Sequence, residues 1–147
     1  MTPSDPQLIL ESLGGISATV RTSDGIEGRL ERNKATALLI YLASVPGNRA
    51  SRERLVTLFF AKSDPEHGLG SLRTMLVLIR QGLGERVLHS TREEVALNCA
   101  FELDRDVFWR SADRGEFEAA VTAYHGEFMS EFASPGADEF EKWADGE

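Results

Sequence analysis

Asp64–Gly84 reads DPEHGLGSLRTMLVLIRQGLG, and the rest of the chain is arranged around it. Asp64 followed by Pro65 marks a helix start. The aspartate accepts hydrogen bonds from backbone amides that have no partner within the helix, and proline suits a first helical position because its missing N–H costs nothing there. Ser63 with Glu66 three residues on also fits a capping box. Gly82 and Gly84 sit where the helix should stop. Between these ends Leu69, Leu72, Leu76, Ile79 and Leu83 recur at spacings of three and four, which predicts one apolar face directed at a core. The opposite face carries Gly70, Arg73, Thr74, Val77, Arg80 and Gln81, with two guanidiniums and no carboxylate. Such a helix fits two settings, a solvated surface or the major groove of DNA.

The chain has 147 residues, enough for one full core or for a small domain with part of a second. No apolar run approaches the length of a membrane span, and MTPSDPQ at the N-terminus lacks a basic region followed by an apolar one. A single cysteine, Cys99, has no partner for an internal disulfide, so a reducing, cytoplasmic setting is expected. The net charge of −8 argues against nucleic acid as a partner until its distribution is considered. Residues 1–100 hold twelve Lys/Arg against eleven Asp/Glu, whereas residues 101–147 hold four against thirteen. From Arg21 to Arg92 the balance is twelve basic to seven acidic. The break predicts two units, 1–103 and 104–147, with different surfaces.

Taken in order, Leu8–Leu13 is a short apolar run before Gly14-Gly15. Ile16, Ala18 and Val20 alternate with polar residues as a strand does, Asp24-Gly25 signals a hairpin turn, and Ile26–Leu30 returns. Arg32–Val45 reads as a helix with Ala35, Leu38, Leu39 and Leu42 inward, ended by Pro46-Gly47. Ser51 is an N-cap for a second helix, Ser51–Ala61, with Leu55, Leu58 and Phe59 inward. Arg52 and Arg54 lie in its first turn, against the helix dipole, which either marks an anion nearby or is tolerated at small cost. After Gly84, Arg86–Ser90 and Glu94–Leu103 read as two strands around Thr91-Arg92-Glu93, with Cys99 a buried strand residue. A helix–turn–helix followed by a hairpin is the winged-helix arrangement. From Asp104 the pattern is helical: Asp106–Asp113, then Glu116–His125 with Phe117, Ala120, Val121 and Tyr124 on one face. A Ser-Pro-Gly turn at Ser134–Gly136 follows, and a last helix begins near Asp138 with Phe140 and Trp143. This is the pattern of a TPR-like helical repeat, and the chain ends at Glu147 inside it, so the segment reads as an incomplete unit.

Catalytic and metal chemistry find no support. His67, His89 and His125 are far apart with no cysteine pair, which argues against a zinc site. Gly68-Leu69-Gly70 lacks a preceding strand and the Gly-Lys-Ser/Thr of a phosphate loop. Asp104 and Asp106 flank Arg105 at a helix start, where capping explains them. No serine sits in a nucleophile elbow. No enzyme activity, cofactor or metal is expected.

RNKATALLIYLASVPGNRASRERLVTLFFAKSDPEHGLGSLRTMLVLIRQGLG closely resembles the DNA-binding domain of SARP-type regulators, an OmpR/PhoB-type winged helix. DRDVFWRSADRGEFEAAVTAYHGEFMSEF resembles the start of the bacterial transcriptional activator domain (BTAD) that follows it in that family, and LESLGGISATV resembles the family's first strands. The resemblance implies an α+β winged helix over 1–103: an N-terminal antiparallel sheet, three helices and a C-terminal hairpin. The start of an α-helical BTAD would follow over 104–147. It implies binding to double-stranded promoter DNA, as a homodimer or in tandem on repeats, and recruitment of RNA polymerase. It puts Arg73, Thr74, Val77 and Arg80 on the recognition helix, with Gln81 beside them, and makes Ala61–Glu66 the polymerase-contacting loop through Lys62, Ser63, Asp64 and Glu66. Lys34, Arg52 and Arg54 near helix starts, and Arg86 and Arg92 in the wing, are then phosphate contacts. The chain departs from the family pattern in the apolar pair Met75 and Leu78 on the third helix and in Glu93 and Glu94 at the wing turn. These departures keep open a second reading, a winged helix that has lost strong DNA binding and serves as a protein-interaction module.

Overall fold

The computed structural model describes residues 7–13, 16–22, 25–30, 33–62, 64–116 and 138–145. Gly14-Gly15, Asp24, Arg32 and Ser63 lie outside them, as do most of the expected helix Glu116–His125 and the Ser134–Gly136 turn.

Three strands open the chain: β1 (Gln7–Glu11), β2 (Ser17–Thr22) and β3 (Gly25–Leu30), each antiparallel to the next. Their period-two pattern sends Leu8, Leu10, Ala18, Val20 and Leu30 inward. Helix α1 (Asn33–Ser44) follows and is the most enclosed element. Beyond the expected Ala35, Leu38, Leu39 and Leu42, it also buries Ala37, Ile40 and Tyr41, because other elements cover it on several sides. A short 3-10 turn, Pro46–Asn48, ends it. There Asn48 takes a left-handed φ of 53°, and its Nδ2 donates to the carbonyls of Leu42 and Ala43 at 3.1 and 3.2 Å. These are carbonyls that the helix end leaves without internal partners.

An unforeseen strand, β4 (Arg49–Ser51), leads into α2 (Arg52–Phe59). Three residues carry too little pattern to register in a sequence, and β4 exists because β6 pairs with it. Ser51 is the N-cap as expected: its Oγ accepts from the Arg54 N–H at 3.0 Å. Helix α3 spans Pro65–Leu83, the range expected from the caps, with Asp64 Oδ1 accepting from the His67 N–H at 2.9 Å. Leu72, Leu76, Ile79 and Leu83 are buried, but Leu69 is 37% exposed. It lies in the second turn, where α3 borders an open groove. Gly82 does not stop the helix. It lies inside α3 at the point where β3 crosses closest, and a Cβ on Gly28 would collide with the Gly82 carbonyl. Gly84, at φ 100°, is the stop.

The expected strand Glu94–Leu103 is two strands. β5 (Leu88–Ser90) and β6 (Glu94–Leu97) form a hairpin that joins β4 in the order β4-β6-β5. The Asn98 N–H closes that hairpin by donating to the Val87 carbonyl at 2.8 Å. The chain then bends, and β7 (Ala100–Leu103) crosses to run parallel to β1, completing a sheet of order β3-β2-β1-β7. Cys99 is therefore a half-buried residue at the bend rather than a strand residue, and burial raises its thiol pKa.

α4 (Asp104–Asp113) begins two residues earlier than expected, and a last helix, α5, runs Asp138–Asp145. Asp104 does not cap α4. Its carboxylate reaches back to the end of β1, accepting from Ser12 and Leu13. α5 is joined to the core of the first hundred residues: Phe140 is fully buried, its ring 4.8 Å from that of Phe59 and 6.5 Å from that of Tyr41. The fold is thus mixed α+β, and among the described residues no helix is long and apolar enough to cross a membrane.

Candidate functional site

α3 has two faces with different chemistry. Its inner face is core. On its outer face Arg73, Thr74, Val77 and Gln81 are all exposed, Val77 by 50%. The helix holds no carboxylate from His67 to Leu83, so this surface is cationic and amide-bearing. The Thr74 hydroxyl donates to the Gly70 carbonyl at 3.1 Å, which occupies its proton within the helix. Met75 and Leu78 are half-buried, and Met75 packs against the core rather than forming an open strip.

The β5–β6 turn stands beside the C-terminal half of α3. Thr91 Oγ1 accepts from the N–H groups of Glu93 and Glu94, and the Thr91 N–H donates to the Glu94 carbonyl. Arg92 is exposed at its tip. Arg49, which sequence reasoning did not single out, lies 3.8 Å from Glu94 and offsets one of the turn's two carboxylates.

Not every expected contact residue faces outward. Arg80 is half-buried, and its guanidinium donates to the Ser90 hydroxyl at 2.8 Å. Arg52 is half-buried as well: its Nε donates to the Thr91 carbonyl at 2.7 Å and its backbone N–H to the Glu93 carbonyl at 2.9 Å. Lys34 Nζ donates to the Phe59 carbonyl at 3.0 Å and lies 4.9 Å from the centre of the Phe60 ring, and partial burial lowers its pKa. It ties α1 to the end of α2. Arg54 and Arg86 are exposed. The outward set brought together on one helix is therefore Arg73, Thr74, Val77 and Gln81. Nothing in the sequence pairs Arg80 with Ser90, because the contact depends on where the hairpin docks.

The segment joining α2 to α3 is polar at its surface. Lys62, Asp64 and Glu66 are exposed, and Ser63 is outside the described residues. Asp64 Oδ2 lies 2.6 Å from His67 Nδ1. The backbone N–H of His67, then its ring, hold the Asp64 carboxyl below the usual carboxylate range. Beside this segment a groove of about 830 Å³ opens, floored by Val56, Phe60, Ala61, Pro65 and Leu69 and reaching Arg92. Among the described residues no group of three or more His, Cys, Asp or Glu side chains is placed to hold a metal ion.

Comparison of the chain with protein-family models and with curated proteins found no match.

Proposed function

We propose that the protein is a DNA-binding transcription regulator of winged-helix type, acting in the cytoplasm, that inserts α3 in the major groove of promoter DNA. The observation that carries this reading is the exposed, carboxylate-free outer face of α3, with Arg73, Thr74, Val77 and Gln81 side by side. A helix fits the major groove, arginine pairs with guanine O6 and N7, and glutamine pairs with adenine N6 and N7. The hairpin beside α3 and the resemblance of residues 32–84 to SARP-type regulators support the same reading. The BTAD-like character of 104–147, RNA polymerase contact through Lys62–Glu66, and dimeric or tandem binding on repeats belong to the proposal, and no catalytic step does.

The test is an anisotropy titration of the full chain against the duplex upstream of its own coding region, at two salt concentrations. Binding should weaken as salt rises, since phosphate neutralisation releases counterions. Arg73→Ala should weaken binding and relax preference at one base position, by about 1–3 kcal/mol of discrimination. Arg54→Ala should weaken binding evenly across sequences and lower the salt slope by about one. Salt-independent or absent binding would overturn the reading.

Leu69 and Val77, exposed on the same helix, favour the second reading, a protein-interaction module. Under that reading the Leu69 groove holds a partner, and Leu69→Asp abolishes the interaction while Arg73→Ala leaves it unchanged.

A further inference from the structure

The β5–β6 hairpin is held along β6 by β4, but its turn, Thr91–Glu93, lies beyond the paired strands. Two arginines from different helices tie down that end. Arg52, at the start of α2, grips both limbs of the turn, through Thr91 with its side chain and Glu93 with its backbone. Arg80, in the last turn of α3, grips Ser90 at the end of β5. Both side chains are half-buried, and a guanidinium's planar fork of donors suits such a fixed tie.

The charges of the turn say why its direction matters. Thr91–Glu94 carries one cation, Arg92, and two carboxylates, Glu93 and Glu94. Arg49 offsets Glu94, so a turn free to swing would present Glu93 to a phosphate backbone as readily as Arg92. A turn held against α2 and α3 keeps Arg92 at one position relative to the α3 face.

We propose that Arg80 and Arg52 form a two-sided clamp that sets the hairpin on α2 and α3, so that Arg80 is a positioning residue for the hairpin's phosphate contact and not a reader of bases. This rests on the DNA-binding reading above. Ser90, which is assigned no contact with DNA, gives the decisive comparison.

The experiment uses the full chain with a duplex selected from a random-sequence pool, and compares Arg80→Ala, Ser90→Ala and the double variant. If the clamp operates, both single variants weaken binding to a similar degree, about tenfold, and the double variant is no weaker than Arg80→Ala. Base preference under α3 is unchanged, while hydroxyl-radical protection of the backbone under the hairpin is lost. Without DNA, hydrogen exchange at residues 88–97 rises in both single variants. If Ser90→Ala instead binds as the unaltered protein does, and Arg80→Ala changes preference at a single base pair, Arg80 reads a base and the clamp is overturned. Failure of the unaltered protein to bind any selected duplex overturns the DNA reading itself, and unchanged exchange at 88–97 overturns the clamp independently of DNA.

Discussion

Asp104 holds Ser12 by both of that residue's donors. The Ser12 N–H and hydroxyl lie 2.9 and 2.6 Å from Asp104 Oδ1, and Oδ2 accepts from the Leu13 N–H at 3.0 Å. One carboxylate thus ties the end of β1 to the start of α4, across a separation of 92 residues. Ser12 is fully buried, so its donors have this partner in place of water.

Removing the carboxylate should therefore cost more than an ordinary surface change. Asp104→Ala leaves buried donors unsatisfied and should lower stability by roughly 1–3 kcal/mol. Asp104→Asn keeps one acceptor and should lose less. Urea melts of the two variants check this; equal midpoints for both and for the unaltered protein would contradict the tie.

Leu72 and Leu76 lie in the core at 0% and 2% exposure, whereas Leu69 on the same helix is 37% exposed. Leu72→Ala or Leu76→Ala should cost about 2–5 kcal/mol through lost burial and the cavity left behind. Leu69→Ala should cost far less, on the order of 0.5 kcal/mol, as surface changes do. Thermal melts separate them, and comparable losses at all three positions would place Leu69 in the core.

α5 is joined to the rest of the chain by aromatic contacts. The Phe140 ring packs against Phe59, and the Trp143 ring centre lies 4.8 Å from that of Tyr41, edge to face. Phe140→Ala should destabilise the protein by about 3–5 kcal/mol. Burial of Phe140 should give α5 hydrogen-exchange protection that Phe140→Ala removes. An unaltered melting temperature in that variant would show that α5 contributes nothing to the core.

Asp64 gives a pH dependence with a defined sign. Its folded pKa is lowered by the His67 N–H and ring, so its contribution to stability is present above the ordinary aspartate pKa and is lost as pH falls through the lower folded value. Stability measured from about pH 5 downward should fall less steeply in Asp64→Ala than in the unaltered protein. Identical acid limbs would refute the effect.

The sequence alone determined the elements whose signals are local. Asp64-Pro65 and Ser51 mark helix starts because a cap acts on amides within three residues of it, and α3 runs between the ends those signals imply. Alternation in β2 and the three-and-four spacing in α3 identified Val20, Leu72, Leu76 and Ile79 as core, since one period corresponds to one buried face. On the candidate site, the exposed set Arg73, Thr74, Val77 and Gln81 was legible for the same reason, as the face opposite that core. Tertiary structure decided what depends on partners far along the chain. The division of Glu94–Leu103 follows from β6 pairing with β4 and β5 while β7 pairs with β1. Gly82 lies inside α3, where Gly28 of β3 passes against its carbonyl, and Gly84 ends the helix instead; Asp104 serves Ser12 rather than its own helix. Arg80, Arg52 and Lys34 have the composition of surface contacts but are bound to Ser90, Thr91 and Phe59. A long cationic side chain reaches several alternative acceptors, and only the docking of hairpin and helices determines which one it meets.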